Sequence, residues 1–213
     1  VELWDEVARH RVTSIAIVGL PFAQPLLEAL ERNPGRWDLS CVTSIGSYFM
    51  VGCHSLTSID LAPLSQVVMI GTHWMGGCKG LLDAGVDLSP LGGSLASMGN
   101  MFMHDCTSLT HIDLSPLVSL SSLTTFPGGI LQKCTGLKTV KFPPRLDFVH
   151  TITGGVMEGC YGFVGPVDLA MFKRVTIIKS YFFYGCAAMT SIDLSPLSNV
   201  NTIGYGFLAG CGS

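Results

Sequence analysis

Leu109-Thr110-His111-Ile112-Asp113-Leu114-Ser115-Pro116-Leu117 decides the fold, because the chain writes it more than once. Its second half, Asp-Leu-Ser-Pro-Leu, returns at Asp87–Leu91 and Asp193–Leu197, and Asp60–Leu64 differs only by Ala62. Its first half returns at Leu56–Leu61 and Met189–Leu194. In each copy apolar and polar residues alternate, so that Ile59 and Leu61 face one way and Ser58 and Asp60 the other. This period of two is that of a half-buried strand. The proline that follows ends the strand and turns the chain.

Working outward from this anchor, a second short extended piece follows, as at Val67–Ile70 and Val175–Ile178. Gly46, Gly71, Gly99 and Gly204 come next and are read as turn residues at positive φ, a conformation cheap only for glycine. Each unit then carries one large apolar residue: Phe49, Trp74, Phe102, Ile130, Val156, Phe182 and Phe207. A short helical or 3₁₀ turn suits this part, and the aromatic column reads as core rather than as a ligand box. The cysteines supply the ruler. Cys53, Cys78, Cys106, Cys134, Cys160, Cys186 and Cys211 are separated by 25, 28, 28, 26, 26 and 25 residues, with only Cys41 outside the series. One such unit cannot bury its apolar side alone, whereas stacked units form a continuous core. The fold class that follows is a repeat solenoid, α/β to mainly β, with parallel strands at about 4.7–4.9 Å per rung.

The pattern Leu-x-x-Ile-x-Leu, Pro, Val-x-x-Ile-Gly, Phe, Gly-Cys resembles the BspA-like leucine-rich repeats, whose period lies in the range of roughly 20–29 residues. The resemblance covers residues 38–213, about seven units. It implies a curved horseshoe with strands on the concave side and short helical or 3₁₀ turns on the convex side. It also implies a surface or secreted setting and adhesion to other macromolecules. Two units depart from the pattern. Lys141-Phe142-Pro143-Pro144 replaces Asp-Leu-Ser-Pro after Cys134, and the unit after Cys160 has an extra residue and Pro166 inside its strand.

Residues 1–37 read as an N-terminal cap. Glu2–His10 forms an amphipathic helix with Leu3, Trp4, Val7 and Ala8 on one face. Val12–Val18 reads as a strand and Pro25–Arg32 as a second helix, which Asn33-Pro34-Gly35 ends. An atypical first unit is what an exposed repeat end requires. The other end, Gly210-Cys211-Gly212-Ser213, stops where a strand should begin, and an uncovered apolar rung invites further stacking or self-association.

Composition excludes several classes. The chain is 48% apolar and 13% charged, which is not a disordered composition. Its net charge of −3 gives no basic field for nucleic acid. No apolar run approaches the roughly 20 residues of a membrane-spanning helix, so no membrane insertion is expected. No nucleophile elbow and no phosphate-cradling loop with its lysine is present, so no catalytic residue and no cofactor is assigned.

The repeated polar residues form the candidate binding surface on the concave strand face: Ser58, Asp60, Asp87, His111, Asp113, Thr139, Lys141, Asp168, Ser191 and Asp193. Asp60, Asp87, Asp113, Asp168 and Asp193 share one strand position, and Lys141 fills it in the sixth strand, within reach of Asp113 or Asp168. Carboxylates about 5 Å apart repel by roughly 0.8 kcal/mol even in water. Either a cationic partner answers this row, or each Asp accepts hydrogen bonds from nearby Ser, Thr or backbone N–H groups. The seven spaced cysteines read as a structural ladder of free, buried thiols. Disulfides between rungs fit the spacing but seven is odd, and zinc lacks a Cys-x-x-Cys pair. His54 beside Cys53 and His104 near Cys106 lack further ligands at a suitable spacing, so no metal site is assigned. The function expected is a non-catalytic module that binds a protein or glycan. The alternatives are a structural or self-associating array, and a non-catalytic part of a larger enzyme or receptor.

Overall fold

The computed structural model describes residues 2–15, 25, 26, 28, 29, 32, 33 and 36–212. Helix α1 spans Glu2–His10, with Trp4 and Val7 buried and Leu3 exposed. The strand expected over Val12–Val18 is present as β1, Ser14–Ile15; Ala16, Ile17 and Val18 lie outside the described residues. Pro25, Leu26, Glu28, Ala29 and Arg32 are helical, as expected. Leu27, Leu30 and the Pro34-Gly35 stop also lie outside the described residues.

The remaining strands are β2 (Ser44–Ile45), β3 (Met69–Ile70), β4 (Ser97–Met98), β5 (His111–Asp113), β6 (Thr125–Phe126), β7 (Thr139–Lys141), β8 (Thr151–Ile152), β9 (Ile177–Ile178) and β10 (Thr202–Ile203). All pair in parallel, unit upon unit, in the orders β1-β2-β3-β4, β6-β8-β9-β10 and β5-β7. Their register reproduces the cysteine ruler. Ser44 pairs with Met69, Met69 with Ser97, Thr125 with Thr151, Thr151 with Ile177 and Ile177 with Thr202. These are steps of 25, 28, 26, 26 and 25 residues, those of the matching cysteines.

The longer ladders therefore run through the second extended piece of each unit, not through the Ile-Asp-Leu piece. On the Ile-Asp-Leu side only β5 and β7 form strands, and Ile59 and Val86 make a single bridge. The turn that follows distinguishes the two cases, not proline itself, since Pro116 and Pro143 also follow β5 and β7. The chain turns at once into 3₁₀ helices at Ala62–Leu64, Ser89–Leu91, Ala170–Phe172 and Ser195–Leu197. The 3₁₀ helices thus follow the Asp position and not, as the sequence suggested, the Phe position.

The segment before each cysteine is of a different kind. Counting back from the cysteine, the fifth, third and first residues all have φ between 50° and 75°, in all seven units. Many are not glycine: Tyr48, Met50, His73, Met75, Met101, Met103, Asp105, Leu131, Lys133, Met157, Tyr181, Phe183 and Leu208. A side chain in this left-handed region costs on the order of 1 kcal/mol or more. The return is a fixed set of bonds between units. In the unit ending at Cys106, Met101 and Asp105 donate their N–H groups forward to Gly128 and Gln132. Met103 donates back to Trp74. The same three bonds recur at every step from Cys53 to Cys211, at 2.7–3.0 Å. Alternating handedness points successive N–H groups in opposite directions, which a helix cannot do. This is why the expected helical turn is absent.

The turn glycines need correcting too. Gly71, Gly99 and Gly204 do not have positive φ. They are glycines because backbones approach there: a Cβ on Gly99 would lie 2.6 Å from the Thr72 nitrogen, and one on Gly204 2.5 Å from the Ser180 nitrogen.

The core fills the space between the two extended pieces. Phe49, Trp74, Phe102, Ile130, Val156 and Phe182 are fully buried, and Phe207 partly. Trp74 stacks on Phe102 with centroids 4.8 Å apart, and Phe182 on Phe207 at 5.6 Å. The cysteines are all free. From Cys78 onward each Sγ donates to the main-chain carbonyl of the residue three before the previous cysteine: Met50, Met75, Met103, Leu131, Met157 and Phe183. Burial pushes the Cys160 thiol well above its ordinary pKa and that of Cys186 up to about 12.

Candidate functional site

The Ile-Asp-Leu pieces place their polar side chains outward by simple alternation. Ser58, Asp60, Asp87, His111, Asp113, Thr139, Lys141, Asp168, Ser191 and Asp193 are all exposed, while Ile59, Ile112, Val140 and Val167 beneath them are buried.

Each Asp of the row has a local task. Its Oδ1 accepts the N–H of the residue two further on: Ala62 for Asp60, Ser89 for Asp87, Ser115 for Asp113, Ala170 for Asp168 and Ser195 for Asp193, at 2.7–2.9 Å. These Asx turns start the bend that follows the strand. The Ser89 hydrogen bonds lower the Asp87 pKa, and the Ser195 N–H and hydroxyl do the same for Asp193. At Asp113 partial burial works upward, but the Ser115 bonds and Lys141 outweigh it and the carboxyl ends below its usual range. One carboxylate oxygen per residue is thus structural. At Asp193 the second oxygen is also used locally, accepting the Ser195 hydroxyl at 3.0 Å, and at Asp113 it meets Lys141 Nζ at 3.3 Å. Lys141 therefore answers Asp113, the nearer of its two expected partners.

Two interruptions shape this face. Counted from the cysteine, the row position comes seven residues on in four of the six units, but nine on at Asp87 and eight on at Asp168. The extra residues after Cys78 form a 3₁₀ turn, Asp83–Gly85. The extra residue after Cys160 accompanies Pro166, which cannot donate to a ladder. At both places the strand pairing stops, so β5 and β7 form a two-stranded island. A cleft opens at each. One, of about 480 Å³, is lined by Ser115, Val140–Pro144, Pro166–Asp168 and Met171. The other, of about 450 Å³, is lined by Asp83, Val86, His111–Asp113 and Thr139–Lys141. Lys141 borders both. Of the sequence-derived residues, His111, Asp113, Thr139, Lys141 and Asp168 are brought to these clefts. Ser58, Asp60, Asp87, Ser191 and Asp193 lie outside them.

Asp83 was not among the sequence-derived residues, yet it organises the second cleft. It accepts the N–H groups of Thr110 at 2.7 Å and His111 at 3.0 Å, and the Thr110 hydroxyl. Its Oδ2 also meets His111 Nδ1 at 3.0 Å. Partial burial alone would raise this carboxyl. The hydrogen bonds from Thr110, then from the His111 N–H and ring, overcome it and bring the pKa down to about 2. The legible signal for Asp83 was the nine-residue spacing from Cys78 to Asp87. His54 and His104 sit elsewhere, in the turns before and after the cysteines. His54 Nδ1 lies 2.8 Å from the Gly77 oxygen, and the His104 ring lies over Gly76.

The profile of the BspA type leucine-rich repeat region matches residues 43–164 and 167–213, in six copies. The chain belongs to the BspA-type leucine-rich repeat family. The gap in this match, at residues 165 and 166, coincides with the Pro166 interruption that bounds the larger cleft. The family is in general a non-enzymatic repeat family. No curated protein matches the chain significantly.

Proposed function

We propose that this BspA-type repeat chain is a non-catalytic recognition module of solenoid form. It binds a macromolecular partner, a protein in the first instance, on the face formed by the Ile-Asp-Leu pieces. The observation that carries this reading is the position of the two clefts. Both open on that face, on either side of Lys141, where the ladder is interrupted and backbone and side-chain groups converge. Recognition sites are typically concave with an apolar floor and a few placed polar groups. The floor here is Ile112, Val140, Phe142 and Val167, and the rim is His111, Asp113, Lys141 and Asp168. The Asp row leaves this surface mostly anionic, which favours a partner with complementary positive charge.

The test is capture of protein and glycan libraries by the chain and by its Lys141→Glu/Asp168→Asn double variant. Capture of a discrete protein set that the variant loses supports the reading. Equal capture by both chains removes this face from recognition, and capture of glycans alone changes the class of partner.

A further inference from the structure

The larger cleft has a feature that neither its apolar floor nor its charge explains. In a parallel strand, successive residues direct their N–H and C=O groups to opposite sides. Thr139 and Lys141 spend theirs on β5: Thr139 donates to the Thr110 carbonyl, and the Lys141 carbonyl accepts from Leu114. Val140 therefore points its N–H and C=O the other way, toward Pro166–Asp168. In a regular unit the next strand would meet them there. Pairing along this side gets as far as the Val164 N–H on the Lys138 carbonyl, at 3.3 Å, and then ends. Pro166 has no N–H to offer. Among the described residues, neither main-chain group of Val140 makes a hydrogen bond, and neither does the N–H of Val167. The result is an open strand edge inside a cleft of about 480 Å³, above Phe142, Val167 and Met171.

We propose that this cleft takes an extended basic peptide, added as a strand to the free edge of β7. Three requirements of such an occupant are met together. The Val140 N–H and C=O supply the backbone pairing that strand addition uses. The apolar floor accepts alternate side chains of the peptide. The opposite side chains emerge beside Asp168, which is exposed and has one carboxylate oxygen not used by Ala170, while the Lys141 ammonium on the same rim is answered by Asp113 at 3.3 Å. Lys and Arg at every second position, with aliphatic residues between, is the pattern that fits. The inference rests on the reading of the Ile-Asp-Leu face as the binding face, and specifies the chemistry of its partner.

The probe is acetyl-Val-Lys-Val-Lys-Val-amide, with two derivatives N-methylated on either the Val or the Lys amides. Binding is followed by fluorescence anisotropy, and its site by amide chemical shifts. Strand addition predicts that one N-methyl series loses roughly tenfold or more in affinity while the other binds as the parent does, because only alternate amides face β7. It also predicts shifts at Val140, Lys141, Val167 and Asp168. Asp168→Asn keeps the bond to Ala170 and should weaken binding several-fold and flatten its salt dependence. Equal tolerance or equal sensitivity of the two series overturns strand addition, and if the shifts still lie on this face the recognition reading stands. Shifts elsewhere on the chain, or none, overturn the proposal and count against the recognition face as well.

Discussion

The Cys134 thiol donates to the carbonyl oxygen of Met103 in the preceding unit, 3.2 Å away. Both residues are fully buried. The equivalent carbonyls of Met50, Leu131, Met157 and Phe183 also take the N–H of the cysteine three residues on. The Met103 carbonyl has no main-chain donor among the described residues, so there the thiol is the donor that satisfies it. The column of cysteines is therefore a column of donors.

Replacing Cys134 by Ala should cost about 1–3 kcal/mol, the range for an orphaned buried carbonyl together with a small void. The same change at Cys211, which is only partly buried, should cost less. Urea unfolding of the two variants checks the order. Equal losses would show that the thiol serves as filler and not as donor.

Thiol reactivity should follow burial. Cys211 should label with a maleimide first among the ladder, and Cys160 and Cys186 only when the chain opens. Because burial holds Cys186 up near 12, raising the pH from about 7 to 9 should accelerate its labelling no more than it accelerates unfolding. Mass spectrometry of time-resolved labelling reads this directly.

Gly99→Ala and Gly93→Ala form a matched pair. The new methyl at residue 99 meets the Thr72 backbone at 2.6 Å, while at residue 93 nothing lies within 4 Å. The first should destabilise by roughly 1–3 kcal/mol through forced backbone movement. The second should be neutral, or stabilising by up to about 1 kcal/mol, through loss of freedom in the unfolded chain. Thermal unfolding separates them.

The legible part of this architecture was its period. Cysteines 25 to 28 residues apart stand where the strands pair at those same steps. The inward and outward sides of Leu56–Leu61 were legible because strand alternation leaves a period of two. The left-handed turns were not, since Met50, Met75, Met103 and Met157 occupy positions where glycine would have announced the conformation. Conversely, Gly99 and Gly204 suggested positive φ and are instead required by close backbone approach. The Asp row was visible, but the choice between a structural and a binding role depended on whether N–H groups lay in reach. One oxygen of each is now accounted for by the following turn.

Asp83 should give the second cleft a dependence on acid. Its pKa is lowered in the folded chain, from 3.8 to about 2, so its contribution is complete above pH about 4 and is lost as pH falls toward 2. Asp83→Asn should therefore be less stable than the parent at pH 6, with the gap closing between pH 4 and 2. A pH series of urea midpoints measures it. A constant gap would mean that shape, not charge, makes Asp83 stabilising.

The Lys141–Asp113 pair should behave in the opposite sense. Its partners are 69% and 54% exposed, and pairs of that kind contribute about 0–1 kcal/mol. Lys141→Ala should leave the unfolding midpoint nearly unchanged while altering partner association, most visibly at low salt. Calorimetry and association kinetics on one variant test both halves.

The bonds across the left-handed turns are the same at every step: two N–H groups reach forward, and one N–H and one thiol reach back. One complete period is therefore interchangeable with another. Excising the residues from Thr135 through Cys160 would bring Lys133 opposite the Tyr184 carbonyl, an acceptor equivalent to the Glu158 oxygen it now meets. Removing half as many would set the turn against a different part of the next unit and lose this pairing. The length of such a chain is quantised: it grows or shrinks by whole turns, and a shift of frame inside one turn is felt at every interface that the turn touches.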